Sequence, residues 1–305
     1  MDIFIQQIIN GLVLGSIYAL VALGYTMVYG IMGLINFAHG EVVMIGAMVA
    51  LFTLKALAGL PAFVAVPIAL ATAAAVCMAV GYSIEKIAYR PLRRAPKLAP
   101  LITAIGISII LQHLAMLIWG RNYHAFPAVL PVSEHDIFGA TITSLQVVII
   151  VIAAAMMAGL TLLVQRTRLG RAMRATAENP PIAQLMGVNI NQIISATFVI
   201  GSALAAVAGL MVSANYSIAH YYMGFMLGLK AFTAAVLGGI GNLAGAMLGG
   251  ILLGIIESLG AGYIGDITGG FLGSHYQDIF ALFVLIGVLI FRPSGLIGER
   301  VAERA

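Results

Sequence analysis

Charge is what this sequence has least of. Only 9% of its 305 residues are Asp, Glu, Lys or Arg, where a water-soluble domain carries about 25%, and that deficit excludes a soluble globular protein. There is a single cysteine, Cys77, set in an apolar stretch, which rules out an intramolecular disulfide. No polar stretch is long enough to build a soluble domain, so any ATPase or solute-capturing module is expected on another chain. The opening MDIFIQQIIN lacks the basic start of a cleaved signal peptide. There is no HExxH, no Ser–Lys-type pair within a span and no Cys beside a His. An intramembrane enzyme needs one of these, so no catalytic or metal residue is assigned. GRAMRA at residues 170–175 is not the phosphate-binding GxxxxGK[ST].

What the chain has in quantity is hydrocarbon. Hydrophobic residues make up 62% of it, with a mean hydropathy of +1.07. The apolar runs are long and helical rather than short and alternating, which indicates an all-α, polytopic membrane helix bundle and not a barrel. A span needs about 20 apolar residues. Candidates fall at residues 8–29, 41–57, 62–83, 98–119, 145–164 and 193–214, followed by a glycine-rich stretch at 227–259 and a last run at 279–291.

Of the 15 basic residues, all but three lie in three segments: Lys86, Arg90, Arg93, Arg94 and Lys97; Arg166, Arg168, Arg171 and Arg174; and Arg292, Arg300 and Arg304. This is the distribution of cytoplasmic loops, so the net charge of +4 does not point to nucleic acid. With these segments inside, residues 121–144 and 260–277 lie outside. The chain between Asn215 and Gly265 must then cross an even number of times. LGGIGN at 237–242 is the natural break, leaving two short helices near 227–237 and 243–259. The expected total is nine spans (eight if 227–259 is one), with the N-terminus periplasmic and the C-terminus cytoplasmic.

Gly241, Gly245 and Gly249 recur at four-residue spacing, as do Ala246, Gly250 and Gly254. Small residues on one helical face let backbones approach closely in lipid. Packing within one subunit and packing at a subunit interface or moving seam both fit.

The basic segment 166–191, RTRLGRAMRATAENPPIAQLMGVNIN, must lie outside the lipid. Asn179 can cap a helix, Pro180 suits the first helical position and Gly187 a stop. The expected helix has about two turns, or roughly 10 Å, and is too short to be stable without a partner. Ala183 and Gly187 offer a small face, and Glu178 a carboxylate just before the helix. A docking element is the sharper reading; a solvated loop whose arginines only set topology is the other.

GIMGLINFAHGE at residues 30–41 places Asn36, His39, Gly40 and Glu41 between apolar flanks. Ionisable groups at membrane depth face a cavity or a partner, and paired glycine-broken segments mark translocation paths; LGGIGN is the second such segment. These four residues are translocation-path candidates, with a wetted cytoplasmic turn as the alternative. His39 and Glu41 alone do not make a metal site. Gln112 and His113 suit interhelical hydrogen bonds. Lys230 and Glu257 are expected at the outer edge, where they could pair with a binding protein. Tyr216, His220, Tyr221, Tyr222 and the 275–278 stretch suit interfacial anchoring.

GRAMRATAENPPIAQLMGVN resembles the cytoplasmic coupling loop of ABC importer permeases. The likeness extends in order through GYTMVYGIMGLINFAHGEVVMIGA (24–47), EKIAYRPLRRAP (85–96), TFVIGSALAAVAGL (197–210) and KAFTAAVLGGIGNLAGAMLGGILLGIIE (230–257). Over nearly its whole length the chain resembles the smaller permease type of bacterial high-affinity branched-chain amino acid importers. The resemblance implies a single permease domain over 1–305, with a fold like that of vitamin-B12-type importer permeases. It also implies an inner-membrane location and alternating access, driven by partners that hold the ATP and Mg; this chain itself carries no cofactor. The implied partners are a related second permease, two cytoplasmic ATP-binding subunits, a periplasmic solute-binding protein and the lipid bilayer. The implied coupling residues are Gly170, Arg171, Arg174, Glu178, Asn179, Pro180, Ala183 and Gly187. The competing reading is a stand-alone secondary transporter or channel for a small polar solute. That reading needs buried carboxylates, for which the sequence offers only Glu41.

Overall fold

The computed structural model describes residues 2–93, 95–96, 98–129, 133–137, 139–269 and 277–298. In chain order the helices are α1 (Asp2–Met32), α2 (His39–Ala56), α3 (Ala62–Ser83), α4 (Arg90–Leu92), α5 (Leu98–Trp119), α6 (Ser144–Arg166), α7 (Arg168–Glu178), α8 (Pro180–Leu185), α9 (Ile190–Tyr216), α10 (Met223–Gly238), α11 (Leu243–Ile267) and α12 (Gln277–Phe291). A π-helical turn, Ile84–Tyr89, joins α3 to α4. Among the described residues, seven helices are long and apolar enough to cross a membrane, and Met223–Gly238 and Ala281–Phe291 are shorter apolar helices. The fold is a polytopic membrane helix bundle.

Four short strands depart from the expected all-helical layout. β1 (His124–Ala125) pairs antiparallel with β4 (Ile218–Ala219), and β2 (Glu134–Ile137) with β3 (Ala140–Thr143). Gln6 ties the second ribbon to α1, donating to the Thr141 carbonyl at 3.0 Å. The start of α1, both ribbons and the end of α9 therefore share one end of the bundle. α7, α8 and the start of α9 lie at the other.

α1 and α11 pack antiparallel at the centre, and glycine makes their approach possible. A Cβ on Gly254 would strike the backbone of Gly15, and one on Gly250 that of Ala19. Gly245 and Gly249 face α10 instead, against Gly238 and Ala234. All four serve packing within this chain. Gly241 does not share that stripe. It lies in the break before α11 with φ +99°, a backbone conformation suited to glycine.

The break falls where LGGIGN places it. Asn242 Oδ1 accepts from the Gly245 N–H at 3.1 Å, opening α11. The N–H groups of Leu296 and Ile297 donate to the carbonyls of Leu237 and Gly238 at 2.9 and 3.0 Å. These bonds satisfy carbonyls that a helix end leaves free.

α1, α2 and α9 are mostly buried, while α3, α5 and α6 leave apolar flanks open. On α5 the exposed side chains include Ile102, Ile110, Leu117 and Ile118. An apolar surface of this kind suits lipid or a partner helix and not water.

Candidate functional site

The basic segment folds as a jointed pair of helices. Thr167 opens α7 by accepting from the Gly170 N–H at 3.0 Å. Gly170 sits so close to the end of α6 that a Cβ there would strike the Val164 carbonyl. Arg174 donates to that same carbonyl, and Met173 and Thr176 are buried on the same side. The residues ahead of Asn179 therefore form a helix of their own, which the sequence reading did not assign. Regular amphipathic spacing hides there behind charge. Arg171 and Glu178 remain exposed.

α8 is capped at both ends by its own sequence. Asn179 Oδ1 accepts from the Ile182 N–H at 3.1 Å, with Pro180 at the first position. Gly187 takes φ +85°. Its N–H donates to Gln184, and that of Val188 to Ala183, both at 3.0 Å, which is the paired closure of a glycine-terminated helix. One expectation is corrected here. Ala183 is buried and turned toward the bundle, so Ala183 and Gly187 do not form a free face. The open face carries Ile182, Leu185 and Met186, at 58, 86 and 80% exposure.

Thr26, Gly30 and Ile31 of α1, Val164 of α6 and Met173 and Arg174 of α7 line a cavity of about 100 Å³, with Gly241 from the break. The jointed pair thus abuts the central helix and the α10–α11 break.

Asn36, His39 and Glu41 are buried, not wetted. After α1 the chain turns back, so that His39 packs against Gly24, about 12 Å short of the end of α1 by helical rise. His39 meets the Tyr25 ring edge-on at 5.0 Å. Gly40 lies against Gly228, where its own Cβ would be 2.8 Å from the Gly228 Cα. Glu41 Oε1 accepts from Gln112 Nε2 at 2.7 Å and Ser108 Oγ at 3.1 Å. Gln112 thus makes the interhelical bond expected of it, whereas His113 is exposed and contacts Ile109 of its own helix at 2.8 Å. Asn36 Oδ1 accepts from the Tyr89 hydroxyl at 3.2 Å.

Two further carboxylates, Glu85 and Glu257, are buried. Glu85, in the π-turn, accepts from Arg90 at 2.8 Å, from Ser195 of α9 at 2.6 Å and from Arg93. Arg93 also donates to Asn191 at 2.6 Å, so the ends of α3 and α9 are pinned together. A lone acid in a basic run was the only signal. Glu257 pairs with Lys230 at 2.7 Å, so the two residues that the sequence offered as possible contacts for a binding protein meet each other.

At the opposite end His220 stacks on Tyr123 with ring centroids 4.2 Å apart and adjoins Tyr221 at 4.3 Å. Tyr216 and Tyr222 are exposed. His275 lies outside the described residues.

A family model described as "Branched-chain amino acid transport system / permease component" matches residues 7–289. The high-affinity branched-chain amino acid transport system permease protein BraD of Pseudomonas aeruginosa is 49% identical, over 99% of this chain and 98% of its own length. LivH of Escherichia coli K12, of the same description, is 44% identical over 99% and 97%. A shorter likeness, 34% over 41% of this chain and 38% of the relative, joins it to the autoinducer 2 import system permease protein LsrC of Photorhabdus laumondii. With a match of this extent, the chain belongs to the family of branched-chain amino acid transport system permease components.

Proposed function

We propose that this chain is one permease subunit of an ATP-driven importer that carries branched-chain or related amino acids from periplasm to cytoplasm by alternating access. It forms a single permease domain with nine crossings, resembles vitamin-B12-type importer permeases, and sits in the inner membrane with its N-terminus outside. The observation that carries the coupling role is the exposed cap Ile182–Leu185–Met186 on a helix fixed at both ends. Three large apolar side chains on an otherwise polar loop suit a cleft in a soluble partner. ATP and Mg belong to two such ATP-binding partners. A related second permease and a periplasmic solute-binding protein complete the assembly.

In the cycle, ATP closes the two nucleotide-binding subunits and α8 moves with them. α7 transmits that movement through Gly170 and Arg174 to the end of α6, and across the cavity to α1 and the Gly241 break. Asn36, His39, Gly40 and Glu41 form the mobile seam beside the path. Hydrolysis then resets the bundle. Co-purification of tagged chain from native membranes tests this reading. ATP-binding subunits should elute with the wild type and be lost with Leu185→Asp/Met186→Asp. Their equal recovery with both would remove α8 from the coupling.

A further inference from the structure

α1, α10, α11 and α12 meet at a group of charges that the coupling elements do not use. Lys230 Nζ lies 2.7 Å from Glu257 Oε1 and 2.8 Å from Asp278 Oδ1. The Tyr18 hydroxyl donates to Glu257 Oε2 at 3.0 Å, and the Lys230 ammonium stands 5.9 Å from the centre of the Tyr18 ring. Tyr216, the last residue of α9, is within electrostatic reach of all three charges.

Exposure divides the group in two. The Glu257 side chain is 2% exposed, Lys230 22% and Asp278 37%. Glu257 forms a sealed floor, and the other two reach an open side. Met226 and Leu282 lie one helical turn from Lys230 and Asp278, on the same faces of α10 and α12, and both are exposed. Charges held within membrane helices face water, a cavity or a partner, because hydrocarbon cannot solvate them.

The inventory of charge and donors is incomplete in a particular way. One ammonium serves two carboxylates, and among the described residues no second basic group pairs with either. The Lys230 ammonium has three N–H donors, of which one is given to Glu257 Oε1, while Asp278 Oδ1 is held beside it as an ion pair and is buried without a hydrogen-bond partner. The group therefore lacks one cation and keeps donor capacity on Lys230 beyond its bond to Glu257. An α-amino acid supplies both complements, an ammonium and a carboxylate on adjacent atoms.

We propose that Lys230 and Asp278 form a station on the solute's route, which receives the ammonium of a zwitterionic amino acid at Asp278 and its carboxylate at Lys230. Glu257 and Tyr18 are positioning residues that hold Lys230. The station rests on the importer reading above and adds to it the part of this chain that meets the solute.

The test uses the complete importer in liposomes, with labelled L-leucine and its binding protein at saturation. Asp278→Asn leaves the Lys230–Glu257 pair in place. It should lower ATP-driven uptake about tenfold, the worth of one charge-assisted contact, with ATPase activity within about twofold; Asp278→Glu should restore uptake. Separately, Met226→Cys should react with a hydrophilic cationic thiol reagent, several-fold more slowly when leucine is being transported. Cys77, the only other cysteine of this chain, is buried, and the same reaction on the unsubstituted importer gives the background. Unchanged uptake by Asp278→Asn, or an inert Met226→Cys, overturns the station alone. Loss of the assembled complex in Asp278→Asn makes the cluster purely structural and overturns it as well. Absence of ATP-driven leucine uptake by the wild type sinks the importer reading, and the station with it.

Discussion

The N–H of Val188 closes onto the carbonyl of Ala183 at 3.0 Å, so the last turn of α8 is tied off one residue beyond Gly187. This closure turns Ala183 inward and leaves Leu185 and Met186 outward. It makes a six-residue helix, otherwise too short to hold itself, into a fixed knob.

The knob should be separable from the fold. Leu185→Asp/Met186→Asp changes only exposed side chains, so membrane insertion and thermal stability should match the wild type within experimental error. Affinity for the ATP-binding subunits should fall at least about tenfold, from the loss of two apolar anchors. Surface plasmon resonance with purified subunits reads the affinity, and differential scanning fluorimetry the stability.

The closure itself depends on backbone handedness. At φ +85° an L-residue costs about 1–2 kcal/mol, and nothing crowds the site. Gly187→Ala should therefore loosen α8 without disturbing the bundle. The expected outcome is weaker stimulation of ATPase activity by loaded binding protein, with an unaltered melting temperature.

The α1–α11 contact is less forgiving. Gly254→Leu must force α1 away, because the collision is with the Gly15 backbone and not with a flexible side chain. Little folded permease should survive detergent extraction. Gly159→Leu, with open space around it, should extract normally, as size-exclusion profiles of the two would reveal.

Glu85 is the pin between α3 and α9. Glu85→Gln leaves two arginines without their shared carboxylate, and because both guanidiniums are partly exposed water screens part of that loss. A lowered melting temperature in detergent is expected, with a smaller drop for Ser195→Ala. Equal stability in all three proteins would mean that the cluster is fully water-screened.

What could be seen in the sequence was local or periodic. Asn179, Pro180 and Gly187 lie within one short segment, so both caps of α8 were legible. LGGIGN announced its break because consecutive glycines interrupt a helix by themselves. Pairings across distant helices were not legible. Lys230 and Glu257 are 27 residues apart and meet only because glycines let α10 and α11 dock. Glu41 meets Gln112 across 71 residues, so whether it was wetted or buried depended on a turn-back that no local pattern encodes. The side of α8 that Ala183 faces was misjudged for the same reason: spacing gives a face, and only packing tells which way it points.

ATP-dependent accumulation of labelled leucine in liposomes, with the complete assembly and with Leu185→Asp/Met186→Asp in place of the wild-type permease, tests the coupling claim most directly. The account predicts uptake that requires ATP and binding protein for the wild type, and its loss in the variant while the ATP-binding subunits still hydrolyse ATP in isolation. Uptake that proceeds without ATP, or equally well in the variant, would contradict it.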